Sequence, residues 1–145
     1  MDMYLVESDE QIAACYPVMR ELRPHVPEAD FVARVRAQER AGYRLVCAAE
    51  ASVPVAVAGF RIAENLAWGR FLYVDDLVAL PANRSRGHGA ALLAWLARFA
   101  VDHGCAQLHL DSGVQREDAH RFYKREGMAL SSYHFSMPVG RAGES

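Results

Sequence analysis

Between an apolar run that ends at Pro81 and a Leu-rich run that begins at Ala90, the chain carries Arg84, Arg86, Gly87 and Gly89. The stretch Leu77-Val78-Ala79-Leu80-Pro81-Ala82-Asn83-Arg84-Ser85-Arg86-Gly87-His88-Gly89-Ala90-Ala91-Leu92-Leu93 reads as a strand, a basic loop, and glycines opening a helix. Glycine has no Cβ, so its backbone N–H can come close to an anion. A helix N-terminus adds unpaired donors and partial positive charge at the same point. The chemistry this pattern suits is the binding of a phosphate or pyrophosphate. A Walker loop is excluded, because Ala90-Ala91 stand where a Lys-Ser/Thr pair is required. A dinucleotide fingerprint needs a third glycine where Leu92 stands, although Asp111 lies at about the twenty-residue spacing of its ribose-binding acid. A plain strand-to-helix turn with solvated arginines is the third reading.

A second oddity lies just upstream, where Asp75-Asp76 interrupt the apolar run Phe71-Leu72-Tyr73-Val74. Aspartate is disfavoured in strands, and successive strand residues point to opposite faces. An unpaired buried carboxylate is costly, so at least one of the two faces a polar cleft. In a regular strand Asp76 shares the face of Val78, which favours it over Asp75; a bulge reverses that choice. The competing reading is a salt-bridged or edge-exposed pair. Farther on, Ala119-His120-Arg121-Phe122-Tyr123-Lys124-Arg125-Glu126-Gly127-Met128 places two aromatics on a short helix, where they serve either as core or as chemistry.

Taken together, these segments resemble a known family. Arg84-x-x-Gly87-x-Gly89 looks like the Arg/Gln-x-x-Gly-x-Gly/Ala signature of the GNAT superfamily of N-acetyltransferases, and Ala119 to Met128 resembles its late motif, Ala-x-x-Phe/Leu-Tyr-x-x-x-Gly-Phe. The likeness runs from about Tyr4 to Pro138 and is strong from Asp75 to Met128. The resemblance implies that main-chain N–H groups of Arg86, Gly87, His88, Gly89 and Ala90, beside Arg84, hold the pyrophosphate of coenzyme A. It implies that Leu77, Val78 and Ala79 pair with the pantetheine arm through the main chain. It also implies that Tyr123 protonates the departing thiolate and that an acid at the place of Asp76 helps deprotonate the attacking amine. Many members carry asparagine where this chain has Arg116, so one hydrogen bond expected near the pantetheine lacks its usual residue here unless Asp118, just before the alanine, substitutes.

The reaction so implied moves an acetyl group from acetyl-CoA to a primary amine by direct attack. An alkylammonium must lose a proton before it attacks a thioester, and a carboxylate in a cleft both attracts the cation and accepts the proton. A strand N–H near Val78 would stabilise the oxyanion. Two alternatives stay open: a non-catalytic acyl-CoA binding or sensing domain, and a dinucleotide-dependent enzyme.

The elements that must position these groups follow from periodicity. A strand over Met3–Val6 is followed by a helix opened by the Ser8/Gln11 capping box and running to about Arg23. A second helix is predicted from Glu28 to about Ala41. Tyr43–Ala49, Val53–Ile62 and Phe71–Leu80 have β character, with a break at Glu50-Ala51-Ser52. The spacing of Leu92, Leu96 and Phe99 predicts an amphipathic helix over Ala90–His103. A strand over Gln107–Leu110, a helix over Asp118–Glu126 and a last strand over Tyr133–Pro138 complete the order. The expected architecture is α/β (α+β): one GNAT-like domain over 1–139 with a frayed tail at 140–145, a mixed central sheet with antiparallel N-terminal strands, a splayed βαβ acyl-CoA site, and about four helices.

The chain is 145 residues long, 52% hydrophobic and 23% charged, with formal net charge −2. One folded domain fits that length, and the charge lacks the basic footprint of a nucleic-acid binder. No stretch has the length of a membrane span. Cys15, Cys47 and Cys105 form no framework and read as reduced thiols of a cytoplasmic protein. His25, His88, His103, His109, His120 and His134 make no cluster at metal spacing, so no metal is expected. The acceptor, a small molecule or a peptide amine, is expected to meet the Arg20–Glu28 region with Leu22-Arg23-Pro24-His25 as a rim, the Ala63–Gly69 turn with Glu64 and Trp68, and the strand near His134. A homodimer is compatible with this fold.

Overall fold

The computed structural model describes residues 1–84 and 86–140. The chain divides into two compact units, 1–110 and 111–145.

The first unit is built on five strands in spatial order β1-β2-β3-β4-β5. These are β1 (Asp2–Leu5), β2 (Arg44–Glu50), β3 (Val53–Asn65), β4 (Gly69–Ala79) and β5 (Gln107–Leu110). The first three pairings are antiparallel, and β4 pairs with β5 in parallel. Period-two alternation explains the two faces: Leu45, Cys47 and Ala49 turn to one side of the sheet, Val46 and Ala48 to the other. The first face is covered by α1 (Asp9–Ala14), α2 (Tyr16–Met19) and α3 (Glu28–Glu39), which bury Ile12, Cys15, Val18, Phe31 and Val35. The second is covered by α4 (His88–Asp102), whose Leu92, Leu96 and Ala100 meet Phe60 and Leu72. No helix among the described residues is long and apolar enough to cross a membrane.

Local chemistry sets the boundaries. The Ser8/Gln11 capping box forms as expected, with Gln11 N–H donating to Ser8 Oγ at 3.1 Å and Ser8 N–H to Gln11 Oε1 at 3.1 Å. The predicted continuous helix to Arg23 does not form. It breaks at Cys15, because Pro17 lacks an N–H and its ring collides with the preceding turn; the proline is instead accommodated in the first turn of α2. The break at Glu50-Ala51-Ser52 is a tight hairpin, with Ala51 and Ser52 both at positive φ, the conformation of a turn that matches strand twist.

In the second unit, α5 (Glu117–Arg125) carries acids in its first turn and Lys124 and Arg125 in its last, the order the helix dipole favours. The predicted strand over Tyr133–Pro138 is absent. Residues 128–139 have no regular structure, and Tyr133, Phe135, Met137 and Val139 are exposed. The alternation is real, but a strand needs a ladder partner for its backbone, and among the described residues none pairs with it. Of the predicted frayed tail, all but Gly140 lies outside the described residues.

Candidate active site

Strand β4 is the organising element. Its pairing with β3 is regular from Asn65↔Gly69 to Phe60↔Val74, then slips so that Gly59 opposes Asp76. Asp75 is the extra residue of a β-bulge. The bulge removes the alternation that would set the two aspartates on opposite faces, and both line one cavity of about 470 Å3 together with Met19, Arg23, Val26, Tyr43 and Arg61. Of the Leu22-Arg23-Pro24-His25 segment, Arg23 and His25 line the same cavity.

Each carboxylate is held. Arg23 Nε donates to Asp76 Oδ1 at 2.8 Å, and the Tyr43 hydroxyl donates to Asp76 Oδ2 at 2.7 Å. Arg61 grips Asp75 with a two-pronged contact, both bonds 2.8 Å. The salt-bridged reading of the pair is therefore the geometry observed. Arg23 and Arg61 remain more than two-fifths exposed, at 41% and 43%. Exposed pairs are worth only about 0–1 kcal/mol, so these contacts fix carboxylate orientation more than they stabilise the fold. Asp76 retains open acceptor capacity, since an ionised carboxylate offers about four lone-pair sites and two are used. Burial and the Asp76 charge push the Tyr43 phenol far above its ordinary pKa, so it stays a donor.

Tyr43 reaches Asp76 only because Gly59 has no side chain: a Cβ there would lie 1.8 Å from the tyrosine hydroxyl. Tyr43, Arg61 and Gly59 were not among the residues singled out from the sequence. A lone glycine inside a strand pattern is the one signal that could have marked a close approach at this position.

Beyond the bulge, β4 loses its other neighbour. Strand β5 pairs only with Phe71 to Val74, so Leu77, Val78 and Ala79 have β3 on one side and no β5 partner on the other. Leu80 N–H donates to Val55 O at 2.9 Å. Antiparallel residues alternate between facing the partner strand and facing away. Val78, two residues back, thus faces β3, while the N–H and C=O groups of Leu77 and Ala79 point to the open edge. The N–H groups at the open edge beside Val78 are thus those of Leu77 and Ala79.

The chain then makes a single 3-10 turn, Pro81–Asn83, and enters α4 at Gly87, which sits at φ +86° with no side-chain cap on the helix. A left-handed φ is cheap only for glycine. Arg84 and Arg86 are exposed; Ser85 lies outside the described residues. His88 turns its side chain inward, 3% exposed, with Nε2 2.9 Å from Glu50 Oε1 and Nδ1 3.3 Å from Asn83 O. Only its main chain is left for a ligand. An open strand edge leading to an uncapped helix start fits an extended amide-containing arm that ends in a diphosphate.

The model of the acetyltransferase (GNAT) family matches residues 6–128. The chain belongs to the GNAT acetyltransferase family. It is 34% identical over 139 residues to YhdJ of Bacillus subtilis strain 168, an uncharacterized N-acetyltransferase, covering 94% of this chain and 98% of that one. A shorter match, 40% identical over 63 residues, covers 43% of this chain and 41% of the aminoalkylphosphonate N-acetyltransferase of Salmonella typhimurium. Among solved structures, AAC(6')-Iy in complex with the bisubstrate analogue CoA-S-monomethyl-acetylneamine superposes with a TM-score of 0.82 at 15% identity, over 97% of this chain and 98% of that one. That likeness shows the fold.

In this acetyltransferase Tyr123 lies on α5 in the second unit, partly buried. Burial raises its pKa, with Arg116 pulling the other way, so the phenol holds its proton at neutral pH. Met128 N–H donates to Tyr123 O at 2.9 Å and closes the helix behind it. His120 Nε2 sits 2.8 Å from Gly113 O, and His134, on the irregular segment, lies 3.4 Å from Asp111.

The Glu64–Trp68 turn does not belong to the cavity. It lies at the start of β4, about 20 Å of strand from the bulge at roughly 3.3 Å per residue. Trp68 stacks on His109 at 3.5 Å and meets Phe71 edge-on, a packing role.

Proposed function

We propose that this acetyltransferase takes its acyl group from acetyl-CoA and gives it to a primary amine by direct attack. What carries the reading is the order of features along one strand. Asp75 and Asp76 face a cavity, the next residues offer an unpaired edge, and the chain then enters a helix through a left-handed glycine. Asp76 and Ala79 are about 10 Å apart at strand rise.

The amine is held at Asp76, which attracts an ammonium and accepts its proton. The amine nitrogen forms the new bond to the acyl carbon as the carbon–sulfur bond breaks. The Tyr123 hydroxyl supplies a proton to the departing thiolate, supported by the motif Ala119-x-x-Phe122-Tyr123 and by a phenol that burial keeps protonated. Outward N–H groups of Leu77 and Ala79 are donors for the carbonyl oxygens of the extended arm. Arg84, Arg86 and the main chain of Gly87, His88, Gly89 and Ala90 hold the diphosphate. The relative named for aminoalkylphosphonate acetylation supports a small-molecule acceptor.

The test is an acetyl-CoA assay that reads released thiol across a panel of amines. Amine-dependent thiol release with matching N-acetyl product is the expected result. Coenzyme A binding without turnover of any amine would leave a binding domain in its place.

A further inference from the structure

We propose that the acceptor is a zwitterion, a primary amine that also bears an anionic group such as a carboxylate or phosphonate, and that Arg34 is the residue that reads the anion. This inference rests on the amine-acceptor reading above and narrows it.

The cavity wall contributed by α3 is one helical stripe: Phe31, Arg34, Val35 and Gln38, spaced i, i+3, i+4 and i+7. Phe31 and Val35 are buried and anchor the helix to the sheet, while Arg34 is exposed at the cavity. Arginine and aspartate do not balance in this cavity, where Arg23, Arg34 and Arg61 face Asp75 and Asp76. Arg23 is engaged by Asp76 and Arg61 by Asp75. Arg34 has no ion pair or hydrogen bond to any of the described residues. The excess is local, because the whole chain carries net charge −2.

An acceptor must satisfy both halves of this arrangement. Asp76 selects for an ammonium. Arg34, a planar fork of guanidinium donors, selects for a carboxylate or phosphonate. Met19, Val26 and Phe31 supply apolar wall for the carbons between. A plain alkylamine leaves Arg34 unused. A diamine sets its second ammonium against a like charge and is the poorest fit.

The released-thiol assay decides it with four series matched in chain length: ω-amino carboxylates, ω-aminoalkyl phosphonates, n-alkylamines and α,ω-diamines. One or both anion-bearing series should exceed the alkylamines in kcat/KM by about 10- to 100-fold, the range of one charged hydrogen-bonded contact, with the diamines lowest. Arg34→Gln at this exposed position should collapse that ratio, mainly through KM. Equal or better turnover of alkylamines or diamines, or an unchanged ratio in Arg34→Gln, overturns the inference and leaves the amine-acceptor reading standing. Thiol release by no amine in any series brings down both.

Discussion

Replacing Gly59 with alanine tests whether the Tyr43–Asp76 contact is built on that glycine. The new Cβ would lie 1.8 Å from the Tyr43 hydroxyl oxygen, 2.4 Å from Cζ and 2.6 Å from Cε1. Tyr43 is 4% exposed, so the ring has no solvent to swing into. Overpacking of this kind costs about 1–3 kcal/mol, and losing a hydrogen bond to a charged group costs about 1.5–3 kcal/mol. The two overlap, because the same ring movement causes both, so about 3 kcal/mol is expected for Gly59→Ala. At roughly 4 °C per kcal/mol for a chain of this size, Tm should fall by about 12 °C. A double-mutant cycle isolates the cause. In a Tyr43→Ala background the clash is gone, and adding Gly59→Ala should cost less than about 0.5 kcal/mol, the range of a substitution that meets nothing. Thermal or urea melts of the four proteins give the answer. An equal cost in both backgrounds, or a wild-type Tm for Gly59→Ala, refutes the close approach as the reason for the glycine.

Tyr123→Phe should lower kcat for amine acetylation at saturating substrates while coenzyme A affinity stays near wild type; unchanged kcat removes Tyr123 as the acid. Glu50 titrates below the ordinary carboxylate range because His88 hydrogen-bonds to it, with the N-terminal amine adding to the effect. A carboxylate whose pKa is depressed by folding adds stability above its unfolded pKa of about 4.3 and loses it as pH falls through the lower folded value. Thermal melts from pH 6 to pH 3 should therefore show a shallower acid decline in Glu50→Gln than in wild type, and identical declines would contradict the coupling.

The fold was legible where pattern and physics agree. Gln107–Leu110 stands as predicted, and Leu92, Leu96 and Phe99 mark α4. The first long helix misled because its apolar stripe runs through Pro17, whose missing N–H outweighs periodicity. The strand expected at Tyr133–Pro138 shows the limit of alternation, which gives a strand its faces but not its neighbour. In the site, Asp75-Asp76 announced themselves as charges in an apolar run. Their partners did not, because Tyr43, Arg23 and Arg61 come from three other segments: strand register brings Arg61 and Tyr43 to the acids, and Arg23 reaches them from the segment that follows α2. Whether a bulge would turn both acids to one cavity depended on pairing against Gly59, which no local pattern encodes.

In the reading proposed here, main-chain amides at the start of α4 and along the open end of β4 bind coenzyme A. A titration of the 15N-labelled protein with coenzyme A, read at the backbone amides, tests it directly. The largest shifts are expected at Arg86–Ala90, with Leu77 and Ala79 moving alongside them. Saturable binding that leaves those amides unmoved would contradict it.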